Sequence, residues 1–133
     1  MLRPVRYLAP AVALLLLAGC GEQGPTPEEQ VRATVAEFGQ ATAAKDYAEL
    51  CNRLLAPSLV EEVESIGLPC ERALRRGLGD VRDPRLTIGE ITVSDDDKAT
   101  AEVRTSAAGE APSQDTLELV NVDGQWKISS LGT

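Results

Sequence analysis

The 133-residue chain has the length of one domain, carries a formal charge of -8 and contains no histidine. Its acidic balance excludes nucleic acid, whose phosphates it would repel, and disfavours adsorption to anionic lipid. Without histidine it lacks the usual near-neutral proton shuttle and the commonest metal ligand.

Arg3 and Arg6 form a short positive head, followed by an apolar run from Leu8 to Ala18 broken only by Pro10. A spanning helix needs about 20 apolar residues, so this run is too short to cross a bilayer. It has the length and the flank of a signal-peptide core. It ends in Leu17-Ala18-Gly19-Cys20. This ending resembles a bacterial lipobox: a Leu, two small residues and then a Cys. The resemblance implies that residues 1–19 are a lipoprotein signal peptide, that the chain is cut before Cys20, and that the Cys20 sulfur carries a diacylglyceryl group. The mature chain is then expected on the extracytoplasmic face of the cell membrane, held there by lipid. Two acyl chains anchor stably where one is marginal, each buried CH₂ contributing ~0.8 kcal/mol. The other reading is an ordinary secretory signal in which Cys20 is incidental. Residues 20–26 form the lipidated Cys and a tether whose last six residues span at most ~20 Å. From Cys20 onward, without Arg3 and Arg6, the charge is about -10.

Residues 27–133 read as a single α+β domain. Thr26-Pro27-Glu28-Glu29 is a helix start, with Thr as cap, Pro in the first turn and Glu reaching back. Val31, Val35, Phe38 and Thr42 line one face of the helix that follows. Asp46-Tyr47-Ala48-Glu49 opens a second helix whose face is Tyr47, Leu50, Cys51 and Leu54. Pro57 stops or restarts the chain, and Ser58 with Glu61 reads as a further capping box before the face Leu59, Val63, Ile66. Cys70 to Leu78 is a last short helix with Ala73, Leu74 and Leu78 inward, ended by Gly79.

From Arg85 the period changes to two. Leu86 and Ile88 alternate, then Ile91 and Val93, with the parity slipping across Gly89-Glu90 as at a β-bulge. Asp95-Asp96-Asp97-Lys98 makes a turn, and Ala99, Ala101 and Val103 form the next inner face. A Gly/Pro/Ser loop runs from Ala107 to Gln114, and Leu117 and Leu119 carry the third strand. Asp123-Gly124 is a hairpin turn, after which Trp126, Ile128 and Ser130 point inward. Consecutive strands predict an antiparallel meander.

With Cys20 assigned to lipid, Cys51 and Cys70 remain. An even count in an oxidising compartment makes a disulfide the default. A redox pair would read Cys-x-x-Cys, and a zinc site needs ligands that the chain lacks.

Helices followed by a bent antiparallel sheet predict N-terminal helices packed in a curved, four-stranded, cone-shaped sheet. The pattern-only alternative is a helical hairpin on a flat four-stranded sheet. From Thr26 to Leu131 the chain resembles the nuclear transport factor 2-like fold, which includes ketosteroid isomerases and polyketide cyclases. The likeness rests on the long first helix with its acidic start, on Lys45-Asp46-Tyr47, and on the ending Asp123-Gly124-Gln125-Trp126-Lys127-Ile128. It implies a pocket between the concave sheet face and the helices. In the enzymes that pocket holds a Tyr with carboxylates, or an Asp with a His.

Phe38, Tyr47, Leu119 and Trp126 are the expected walls of such a pocket, and they would make it apolar. Tyr47 reads as a core or rim residue; as an oxyanion donor it would need a buried acid partner. The inner strand positions Leu86, Ile88, Ile91, Val93, Ala99, Ala101, Val103, Leu117 and Leu119 include no carboxylate, which argues against proton-transfer catalysis. Asp95-Asp96-Asp97 reads as a solvated turn, not a calcium loop. Arg72, Arg75 and Arg76 read as a wet helix face, or else as a docking patch for an anionic partner. No catalytic residue, metal or cofactor is assigned. The expectation is a non-catalytic binding or accessory module of the cell envelope, partnered by an apolar small ligand or an envelope protein. The alternative is an isomerase or cyclase using the pocket. The outer sheet face (Thr87, Thr92, Thr100, Glu102, Arg104, Glu118, Lys127) is polar, which points to a monomer.

Overall fold

The computed structural model describes residues 24–132. Cys20 and residues 1–19 lie outside the described residues. The elements run α1 (Pro27–Ala44), α2 (Tyr47–Glu49) continuing into a π-helical segment (Leu50–Leu54), α3 (Pro57–Glu64), α4 (Cys70–Leu78), then β1 (Arg85–Asp95), β2 (Lys98–Ser106), β3 (Ser113–Val122) and β4 (Gln125–Ser130). The fold is α+β, with four helices packed on a curved sheet whose strands are antiparallel in the order β1-β2-β3-β4.

Local chemistry sets the helix starts. The Thr26 hydroxyl accepts from the Glu29 N–H, while the Glu29 carboxylate accepts from the Thr26 N–H, the capping box expected from the sequence. Asp46 caps α2 by accepting from the Glu49 N–H at 3.1 Å. α3 starts differently from the expectation. Pro57 occupies its first turn, Ala56 is the cap residue, and no side chain caps it. The Ala56 N–H instead donates to the Ile128 carbonyl at 2.7 Å, so the pairing of this segment with β4 decides where α3 begins. Ile66 also departs from the expected inward face and is 68% exposed. α3 ends at Glu64, so helical periodicity no longer aims the side chain two residues later.

Curvature comes from register irregularities. Ile88 pairs with Val103 and Ile91 with Ala101, so Gly89 and Glu90 oppose one residue: the β-bulge anticipated from the parity slip. A second irregularity lies between Glu118 and Leu119, where Glu118 pairs with Ser130 and Leu119 with Ile128. The extra residue flips the parity of the end of β4. Ser130, expected inward, therefore pairs with the exposed Glu118, and Leu131 after it is 41% exposed. The hairpin before β4 is tight because Asp123 and Gly124 both adopt positive φ (52° and 84°), as a two-residue hairpin turn requires.

α1 lies across the inner face and packs on β1, β2 and β4. Val31 and Val35 on α1, Ala101, Val103, Leu117 and Leu119 on the sheet, and Trp126 and Ile128 on β4 form the main core. A second cluster of Ala41, Tyr47, Leu50 and Leu54 fills the space between α1 and the following helical segments. The Cys51–Cys70 disulfide ties the π-helical segment to the start of α4, with the two Cα atoms 6.0 Å apart. On the surface, Arg53 pairs with Glu37 of α1 and with Glu49, hydrogen bonds that hold the guanidinium further into its charged form. Among the described residues, no helix is long and apolar enough to cross a membrane.

Candidate functional site

One cleft opens between the C-terminal half of α1 and the inner face of the sheet, with a volume of about 320 Å³. That lies at the lower end of the range of small-molecule sites. Its apolar walls are Phe38 on α1, Leu78 at the end of α4, Leu86 on β1, Val103 on β2, Leu117 on β3 and Leu131. The depth of the cleft depends on how closely α1 approaches β1. A Cβ added at Gly39 would stand 3.3 Å from the Leu86 Cβ, so only glycine allows this spacing without a shift.

The outer end of the cleft is polar. Thr105 of β2 pairs with Ser113 of β3, and Val103 pairs with Asp115. Asp115 lies two residues before Leu117 and therefore on the same inner face. The Ser113 hydroxyl donates to the Asp115 carboxylate at 3.0 Å, and the Thr105 and Ser113 hydroxyl oxygens are 2.9 Å apart. All three residues line the cleft, and Asp115 is half-buried. This carboxylate extends the inner face past the apolar positions identified from sequence. The signal was available: alternation from Leu119 and Leu117 steps directly to Asp115.

Of the four residues expected to line a pocket, Phe38 lines the cleft. Leu119 and Trp126 are packed in the main core, Trp126 also bordering a separate depression beside Thr34 and Gln125, and Tyr47 lies in the second cluster. Among the described residues the buried Tyr47 hydroxyl has no hydrogen-bonding partner, and the Arg75 guanidinium lies 5.7 Å from the centre of its ring. Tyr47 and Asp115 thus lie in different parts of the molecule, and among the described residues no Tyr–carboxylate pair lines the cleft.

A larger depression of about 550 Å³ lies on the outer sheet face, among Thr87, Glu102, Arg104, Gln114 and Thr116. Most of its lining side chains are polar, with Ile88, Val103 and Asp115 also reaching it, so an apolar ligand gains less there than in the cleft. No group of three or more metal-ligating side chains occurs among the described residues. Compared with known proteins, the chain matches no family model and no curated protein.

Proposed function

We propose that this chain is an extracytoplasmic lipoprotein whose single domain binds a small, largely apolar ligand without transforming it. The observation that carries the binding reading is the cleft between α1 and the sheet: apolar walls, a few converging polar groups, and a volume fit for a small molecule. The cell-membrane address rests on the lipobox-like Leu17-Ala18-Gly19-Cys20, with diacylglyceryl on Cys20 supplying the attachment that an acidic domain cannot obtain from anionic lipid. Helices lying on the inner side of a bulge-bent meander support the cone-shaped, nuclear transport factor 2-like reading. The exposed polar side chains Thr87, Thr92, Thr100, Glu102, Arg104 and Glu118 on the outer face support a monomer.

The competing reading is an isomerase or cyclase, and Asp115 is the one observation in its favour. A proton-transfer site pairs its base with a donor that stabilises the developing oxyanion. In this cleft the nearest hydroxyl proton, that of Ser113, is already given to Asp115, and Tyr47 lies in another cluster. These facts favour binding over turnover.

Native mass spectrometry of the protein recovered from its own host tests the reading. One small organic molecule bound per chain, released on denaturation, is the expected result. Repeated recovery of bare protein would refute ligand carriage and leave a scaffold for an envelope protein.

A further inference from the structure

We propose that the polar end of the cleft selects ligands bearing a protonated amine, with the apolar body of the ligand against Phe38, Leu86 and Leu117 and its ammonium group on Asp115. The inference rests on reading the cleft as a ligand site and adds the chemical class of the ligand.

The argument concerns where the hydroxyl protons go. Ser113 has one, and it is donated to Asp115 Oδ2. In its contact with Thr105, Ser113 must therefore accept, so the Thr105 hydroxyl is the donor. Both protons run along the chain toward the carboxylate. What these three side chains still offer is acceptor capacity: Asp115 Oδ1 and the lone pairs of Thr105. A head group that can only accept, such as a carboxylate, phosphate or ketone, finds no free donor on them. An ammonium group brings three donors and a complementary charge.

The surrounding charges agree. Glu110 also lines the cleft, giving two carboxylates with Asp115. Arg85 is the cation lining it; it is exposed at the start of β1 and makes no ion pair among the described residues. The local balance is negative, within a domain that is acidic throughout. Like-charged ligands are repelled both at a distance and on contact. Because Asp115 is half-buried, the pairing is neither fully screened by water nor so dry that desolvation cancels it.

The test is a titration of the full chain with hexylamine, hexan-1-ol and hexanoate, following backbone amide chemical shifts of Leu86, Val103 and Leu117. The three probes share one apolar body and differ only in the head group. Hexylamine should bind about tenfold more tightly than hexan-1-ol, because the ammonium group adds charge attraction to Asp115 and further donors beyond the single hydroxyl proton of the alcohol. Hexanoate should bind most weakly. In Asp115→Asn the advantage of the amine over hexan-1-ol should fall to about twofold or less. Equal affinities for all three probes, or hexanoate binding best, would overturn the amine selectivity while leaving the apolar cleft as a site. An amine preference that survives in Asp115→Asn would overturn the role given to that carboxylate. If none of the probes moves the cleft amides, the ligand-site reading itself fails. Should the Asp115 variant not fold, the wild-type comparison of the three head groups still decides for or against selectivity.

Discussion

Replacing both cysteines, Cys51→Ala with Cys70→Ala, is expected to lower the melting temperature of the chain by on the order of 15 °C. The pair is 19 positions apart in sequence, and closing a loop of that size stabilises a folded domain by about 3 kcal/mol on the chain-entropy account. In a domain of this size each kcal/mol corresponds to roughly 4–8 °C. The local structure makes the bond matter. Apart from Cys70, α4 contributes no fully buried residue; Ala73, Leu74 and Leu78 are half-buried, and Arg72, Arg75 and Arg76 face water. Without the bond, α4 is held mainly by its half-buried Ala73, Leu74 and Leu78, while α1, Leu59 of α3 and the sheet keep the main core. Thermal unfolding followed by circular dichroism measures the effect. A shift below about 3 °C would mean that the bond does not support the fold in this way.

The second large effect separates core from cleft. Leu119→Ala is expected to cost about 3 kcal/mol of stability, because Leu119 is 2% exposed and packed in the main cluster with Ile128 and Trp126. It should leave the affinity for hexan-1-ol unchanged, since Leu119 does not line the cleft. Phe38→Ala should do the opposite. The half-buried Phe38 ring costs less to remove, roughly 1–2 kcal/mol, but it forms a wall of the cleft. Its loss should weaken hexan-1-ol at least fivefold, about the contact area of one aromatic face. Denaturant unfolding and ligand titration on the two variants check the pair together. If Leu119→Ala weakens binding while Phe38→Ala does not, the cleft has been placed on the wrong side of the core.

Much of this architecture is legible in the residues, and the failures have particular causes. Thr26 with Glu29, Asp46 with Glu49, and the span from Cys70 to Leu78 are local signals, and local chemistry decides them. The bulge at Gly89-Glu90 could be read because one displaced residue moves a whole apolar set to the other face. The start of α3 could not, because it depends on a hydrogen bond from Ala56 to Ile128, far away in sequence. The π-helical turn at Leu50–Leu54 was equally hidden. Its bond from the Leu55 N–H to the Leu50 carbonyl keeps Leu50 and Leu54 buried, as an α-helix would, so the apolar spacing does not distinguish the two.

The site was legible only in part. Phe38 follows from the helix face, whereas Tyr47, Leu119 and Trp126 lie in packed clusters away from this cleft, Trp126 also bordering a separate depression. An apolar side chain on an inner face looks the same in sequence whether a ligand or another side chain covers it. Ser113 is hidden for a different reason. The stretch from Ala107 to Gln114 reads as loop from its Gly, Pro and Ser content, whereas β3 already begins at Ser113. Extending the strand by those residues puts Ser113 and Asp115 on the inner face.

Whether a membrane holds this domain is decided most directly by the intact mass of the mature chain extracted from its host membrane. The expected mass is that of residues 20–133 plus a diacylglyceryl group on the Cys20 sulfur, with any fatty acid on its new amino group adding to it. A chain that begins elsewhere, or that begins at Cys20 with a free thiol, would contradict the lipid anchor and leave the cleft on a protein without a membrane address.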